Sequence, residues 1–224
     1  MRRLVMWDID YTLLRGGGVT TKAWKAAFTE VTGVEWRATP NFGGRTDTDI
    51  CTEVFAVHGV TDCTHERFFA RYVEAIHEIK HEFPVHGYLM PGVREVLARL
   101  DADPQVVQTL VTGNHPEVAA IKVAAFGLEG SFDAEIGGYG TDDSVRATLV
   151  RRCMERARAK YGEDFHPVVI GDTEHDVTAA LANGAQAIAV ATGAPTAAAL
   201  TAAGAHVVLP DLSDLDAAIT ALTT

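Results

Sequence analysis

Four apolar residues, Leu4-Val5-Met6-Trp7, run directly into Asp8-Ile9-Asp10-Tyr11-Thr12. The apolar run predicts a strand buried on both faces, and it ends in two acids one residue apart. Carboxylates are costly to bury unless a cation or metal pairs with them. The carboxyl end of a central strand is also where open α/β sheets bind ligands. Two carboxylates there suggest a metal and a reaction, and for this segment alone a strand followed by an acidic turn is an equal alternative.

Hydrophobic period divides the rest of the chain. Between Thr20 and His86 the spacing is helical: Trp24, Ala27, Phe28 and Val31, then Ile50, Val54 and Val57, then Phe68, Phe69, Tyr72, Val73, Ile76 and Ile79. From Pro91 onward helices alternate with short apolar runs. Strands are expected at Val106–Val111, Ala134–Ile136, Val168–Ile170, Ala187–Ala191 and Val207–Leu209. Helices are expected from about Pro91, Pro116 and Asp143, near Thr196–Ala203 and after Ser213. Alternation of this kind predicts an α/β fold, a Rossmann-like doubly wound parallel sheet. The helical segment interrupts it after the first strand and reads as an inserted cap. The expected division is a core of residues 1–16 and 90–224 with a helical cap over 17–89. Gly16-Gly17-Gly18 at its entry, and Gly87 with Pro91 near its exit, could hinge it.

The chain has 224 residues, 47% of them hydrophobic, which is enough for one sizeable core, or for a core domain plus a small accessory domain. A formal charge of −11 without a Lys/Arg-rich run argues against nucleic-acid binding. Cys51, Cys63 and Cys153 match neither a disulfide framework nor a zinc pattern, and they fit thiols in a reducing cytosol. The four-residue apolar run after Met1-Arg2-Arg3 is too short for a signal-peptide core. The uncharged stretch Val177–Pro210 is broken by glycines and reads as strands and helices, not a membrane span. A cytoplasmic monomer or homodimer is expected.

Two further strand ends carry chemistry. Leu110-Val111-Thr112-Gly113-Asn114 ends in a hydroxyl and a helix start whose amides favour phosphate. Val169-Ile170-Gly171-Asp172-Thr173-Glu174-His175-Asp176 ends in acids again. In a parallel sheet all carboxyl ends share one edge, so Asp8, Asp10, Thr112, Asp172 and Asp176 should converge. Oxygen ligands without Cys or a His pair suit Mg²⁺.

In this order the motifs resemble the haloacid dehalogenase superfamily, in its phosphatase branch. Asp8-Ile9-Asp10-Tyr11-Thr12, Thr112, and Gly171-Asp172 with Asp176 stand for its first, second and fourth motifs. Phosphoglycolate-phosphatase-like and β-phosphoglucomutase-like enzymes with helical caps are most similar. The resemblance implies that Asp8 is a nucleophile forming an aspartyl-phosphate and Asp10 a general acid and base. It also implies Mg²⁺ held by Asp8, the Asp10 carbonyl and Asp172, with Asp176 in support. Thr112, Gly113 and Asn114 would hold the phosphoryl group of a small phosphorylated metabolite. Two unit charges at about 4 Å repel by roughly 4 kcal/mol at an effective dielectric of 20, so carboxylate and phosphate need the metal between them.

The lysine expected in the third motif is missing. Gly137-Gly138-Tyr139-Gly140-Thr141-Asp142-Asp143-Ser144-Val145-Arg146 offers Arg146, in the first turn of a helix, with a salt bridge to Asp142 or Asp143 as the plain alternative. Lys122 is the rival: its helical neighbours are apolar, but it lies roughly 9 Å down a helix that starts at Pro116. Arg146 is preferred. In the insert, Phe42-Gly43-Gly44-Arg45-Thr46-Asp47 presents an arginine before a helix, and Arg45 is expected to meet substrate from above. A phosphatase is the leading expectation. A phosphomutase shares both acids, whereas a dehalogenase would lack Asp10, and intact acids argue against a non-catalytic domain.

Overall fold

The computed structural model describes residues 1–224. In chain order the elements are β1 Arg3–Trp7, β2 Leu14–Arg15, α1 Val19–Thr32, α2 Asp47–His58, α3 His65–Ile79, α4 Phe83–His86, β3 Tyr88–Leu89, α5 Val93–Asp101, β4 Val106–Thr112, α6 Pro116–Ala125, β5 Gly138–Tyr139, α7 Arg146–Tyr161, β6 His166–Gly171, α8 Glu174–Ala182, β7 Gln186–Val190, α9 Ala197–Ala202, β8 Val207–Leu209 and α10 Leu215–Thr223. One six-stranded sheet runs β5-β4-β1-β6-β7-β8, and every pairing in it is parallel.

β1 is central because it is apolar on both sides. Val5 and Trp7 join one core cluster, with Val96, Leu97 and Leu222 from α5 and α10. Leu4 and Met6 join another, with Leu149, Cys153 and Val177 from α7 and α8. The strand period of two thus sends alternate residues into two helical layers. The chain leaves β1 to β4 on one side and β6 on the other. That reversal of strand order opens a crevice at the carboxyl end of β1, where Asp8 follows Trp7.

Between β2 and β3, which pair antiparallel, the chain is helical. α1, α2 and α3 surround a third cluster containing Trp24, Phe28, Val54, Phe68 and Tyr72. Trp24 meets the Phe68 ring at 4.6 Å and the Tyr72 ring at 5.3 Å. Val57, expected on this buried face, is 60% exposed, and Cys51 and Phe55 fill the face instead.

One expected strand is displaced. Ala134–Ile136 forms a 3-10 turn, and the edge strand is Gly138–Tyr139. The pairing with Val111 and Thr112 falls there, and residue 138 has to be glycine because a Cβ would meet the Leu149 carbonyl oxygen at 2.2 Å. A glycine pair disguises this strand, since glycine is a poor strand former. No helix is long and apolar enough to cross a membrane.

Candidate active site

Asp8, Asp172 and Asp176 meet at the carboxyl edge of the sheet. One ligand atom from each lies within 4.8 Å of the others, and all three side chains are buried. β1 and β6 are adjacent, so their ends deliver Asp8 and Asp172 side by side. Asp176 arrives by helix capping. Thr173 is the N-cap of α8, its hydroxyl donates to Asp176 Oδ2 at 2.6 Å, and its amide donates to the same oxygen at 3.1 Å. Gly171 permits this approach, because a Cβ there would stand 2.1 Å from Asp176 Cγ.

The acids repel one another in a desolvated place. Burial, resisted by Arg146 and reinforced by Asp176 and Asp10, pushes the Asp8 carboxyl up to about 6. Burial and the charges of Asp8 and Asp176 push Asp172 up to about 9. Such a group of carboxylates calls for a cation. Arg146, at the first position of α7, places Nη2 2.8 Å from Asp8 Oδ1 and 2.6 Å from Asp176 Oδ1. Against its own desolvation, Asp176 and Asp8 hold the guanidinium protonated. Asp142, a plain partner for Arg146 in the sequence, pairs with Arg156 instead at 2.6 Å.

Asp10 belongs to a second network. Lys122 Nζ donates to Asp10 Oδ1 and Oδ2 at 2.8 and 2.7 Å and to Asn114 Oδ1 at 2.7 Å. Asn114 Nδ2 donates to Asp10 Oδ2 and to Thr112 Oγ1, both at 2.8 Å. All three ammonium donors are used, and the Lys122 side chain is 1% exposed. Depth along α6 made Lys122 the lesser cation in the sequence. Its four-carbon stem spans that depth, so Lys122 reaches Asp10 while Arg146 reaches Asp8.

A loop of the helical insert covers the crevice. The Asp47 and Thr48 amides donate to the carbonyls of Gly113 and Gly140, at 2.7 and 3.3 Å. The Thr48 hydroxyl also donates to Gly140 O at 2.7 Å. A Cβ on Gly113 would lie 1.9 Å from the Arg45 carbonyl oxygen. Arg45 lines the cavity, but it is not the free cation expected from the sequence. Its Nε is 2.6 Å from Asp49, and Nη1 contacts Glu53, both on α2 one and two turns away. Helical spacing after the loop supplied these partners.

The cavity here is about 580 Å³, and Asp8, Asp10, Asn114, Lys122, Arg146 and Asp172 are among the residues that line it. Three lining or supporting groups escaped the sequence analysis. Asp47 accepts the His115 amide at 2.7 Å, and burial raises its carboxyl to about 7. Only a long-range contact marks it, so as the first residue of α2 it looks like an ordinary helix-start acid. Thr173 holds Asp176 in place; its spacing to Asp176 was the available signal. Gly193 lets its loop close on Asp172, because a Cβ would lie 1.8 Å from Asp172 Oδ2.

The sequence matches the haloacid dehalogenase-like hydrolases over residues 2–184. The chain belongs to that family. The solved structures it resembles are distant in sequence and share its fold. A structure described as a predicted phosphatase from Clostridium acetobutylicum is 20% identical with a TM-score of 0.72, covering 98% of this chain and 99% of that one. CbbY from Rhodobacter sphaeroides, solved in complex with phosphate, is 18% identical with a TM-score of 0.70, covering 96% of each chain. A structure described as a predicted phosphoglycolate phosphatase from Haemophilus somnus is 15% identical with a TM-score of 0.69, covering 96% and 97%. No curated protein matches the chain by sequence.

Proposed function

We propose that the chain is a Mg²⁺-dependent phosphatase that hydrolyses a small phosphorylated metabolite through an aspartyl-phosphate at Asp8. The convergence of Asp8, Asp172 and Asp176 on one buried point, with Arg146 bridging two of them, carries this reading. The donor set fits a hard cation: all oxygen, acid-rich, with no thiol or imidazole. Asp8, Asp172 and the Asp10 carbonyl would hold it, with Asp176 in support. Bound there, Mg²⁺ would offset the repulsion between the carboxylates and an incoming phosphate.

The protein's own groups divide the remaining work. An Asp8 carboxylate oxygen forms a bond to phosphorus as the bond from phosphorus to the leaving oxygen breaks. Asp10 gives a proton to that oxygen. Asp10 then takes a proton from water, whose oxygen attacks phosphorus and releases Asp8 and inorganic phosphate. Thr112 and the Gly113 and Asn114 amides, at the start of the segment leading into α6, orient the phosphoryl oxygens. Arg146 keeps Asp8 and Asp176 apart in charge and fixes their direction. Residues 17–89 act as a cap over a core of 1–16 and 90–224, and closure excludes water.

Purified protein is expected to hydrolyse a generic aryl phosphate with Mg²⁺ and to lose that activity in EDTA. Asp8→Asn should abolish turnover, and Asp10→Asn should lower kcat by roughly 10²–10⁴-fold. An Asp8→Asn protein working near the wild-type rate would exclude the covalent route. A requirement for a sugar bisphosphate activator would instead favour a phosphomutase, which needs the same two acids.

A further inference from the structure

The cations on the cavity are not equivalent. Lys122 is neutralised by Asp10, Arg146 by Asp8 and Asp176, and Arg45 by Asp49 and Glu53. Arg15 alone among the lysines and arginines lining the cavity has no carboxylate within 4.0 Å. It is held by aromatic groups. Its guanidinium carbon lies 5.4 Å from the centroid of the Tyr11 ring, and Nη1 donates toward the Tyr88 hydroxyl at 3.4 Å. The backbone fixes the arrangement, since Arg15 and Tyr88 are register partners in the β2–β3 pair.

Tyr11 carries the second, independent observation. It is the only non-glycine residue with positive φ, at 61°. A bulky side chain in that region is strained, and glycine would relieve it. Strain of this kind persists where the surroundings impose it, and it clusters at ligand clamps. The turn that imposes it is held by backbone bonds from the Tyr11 amide to the Leu14 carbonyl and from the Leu13 and Leu14 amides to the Ile9 carbonyl, and it presents a Tyr11 ring that is 41% exposed and lines the cavity beside Arg15. Tyr88 lines the same cavity and is 50% exposed.

We propose that Tyr11, Arg15 and Tyr88 form a subsite for a second anionic group, a carboxylate or another phosphate, on the leaving-group side of the substrate. The inference rests on the phosphatase reading, because it places this anion on the alcohol released from the Asp8 site. A guanidinium offers a two-donor fork to a carboxylate or phosphate, and two phenol hydroxyls beside it can donate as well. Stacking over Tyr11 limits the rotamers of the arginine without neutralising it. Substrates with a neutral tail leave this cation unused.

The test uses the full-length protein with Mg²⁺ and matched two-carbon esters: ethyl phosphate, phosphoglycolate and ethylene glycol bisphosphate. Wild type should favour one of the two anionic esters over ethyl phosphate in kcat/KM, and the favoured ester identifies the anion. In Arg15→Ala that preference ratio should fall by about 10- to 100-fold, the range of one charge-assisted contact. Arg15→Lys should restore only part of it. Tyr11→Gly should raise Tm by relieving the positive-φ strain while lowering the preference ratio; a role in folding alone would not lower that ratio. An unchanged ratio in Arg15→Ala, or a wild type that favours ethyl phosphate, overturns the assignment. Calorimetric binding of ethylphosphonate and phosphonoacetate separates the two readings. Tighter phosphonoacetate binding that disappears in Arg15→Ala, without hydrolysis of any ester, would retain the subsite and remove the phosphatase.

Discussion

Arg146 does for two carboxylates what no neutral side chain can. It is 7% exposed at the side chain and lies within 2.8 Å of Asp8 and 2.6 Å of Asp176. Removing one partner of a buried ion cluster leaves charge without compensation, at a cost of roughly 3–5 kcal/mol. Arg146→Ala should therefore lower Tm by about 6–20 °C, at roughly 2–4 °C per kcal/mol for a chain of this size. Mg²⁺ should recover part of the loss, because a cation that binds only the folded acids stabilises them by mass action. Thermal melts of wild type and variant, each with Mg²⁺ and with EDTA, check both statements. A variant melting like wild type in EDTA would mean that the guanidinium does not offset the buried carboxylates. The approach of Arg146 to Asp8 was legible because a cation in the first turn of a helix that starts at the carboxyl edge of the sheet has few other directions to take. Tyr11 was not legible as anything more than part of a motif, since a strained φ leaves no mark in a single sequence.

At the scale of elements, α2 meets the core through its first residue. Asp47 is the buried acid where the insert touches the β4–α6 connection, and its only direct partners there are the His115 amide and the Gly113 carbonyl. Burial raises its carboxyl to about 7, from 3.8 for the free group. The folded protein therefore binds more protons than the unfolded chain between these values. Stability from this group is fully present below about 4 and is lost as pH rises through about 7. Asp47→Asn keeps an acceptor for the His115 amide and removes the titration. Its Tm should match wild type near pH 4 and exceed it near pH 8, by several degrees if ionisation costs on the order of 1–3 kcal/mol. Equal melting curves at both pH values would show that Asp47 ionises without penalty. The elements themselves were largely readable. β1, β4, β6, β7 and β8 are apolar runs between helical periods, and period alone separates the α1–α3 segment from the alternating core. β5 was misplaced because two glycines and a tyrosine carry no strand period. Asp47 and Thr173 were missed as site groups because their partners are remote or shared with ordinary helix capping.

The whole molecule is a sheet edge bearing acids, with a helical insert closed over it. The three apolar clusters divide accordingly: two flank the sheet, and one lies almost entirely within the insert, with Val118 the buried core-side member. On the core side Ile121, Ala125 and Phe126 also pack against that cluster, and hydrogen bonds from Asp47 and Thr48 to Gly113 and Gly140 join the insert to the sheet edge. Gly113 is the point of closest approach, since a Cβ there would stand 1.9 Å from the Arg45 carbonyl oxygen and 3.2 Å from Thr46 Cα. Backbone cannot yield as a flexible side chain can, so Gly113→Ala should hold the loop away from the core. Amide hydrogen exchange gives the direct measurement. The Asp47 and Thr48 amides, which donate across the junction, should exchange at least tenfold faster in the variant, about 1.4 kcal/mol less protection. The amides of β1 and β6, deep in the sheet, should keep their wild-type rates. Because a displaced insert admits water and loosens every contact made from above, kcat/KM should fall together with that protection. Unchanged exchange at Asp47 and Thr48 would mean that the loop tolerates the added methyl, and that closure does not depend on the bare backbone at Gly113.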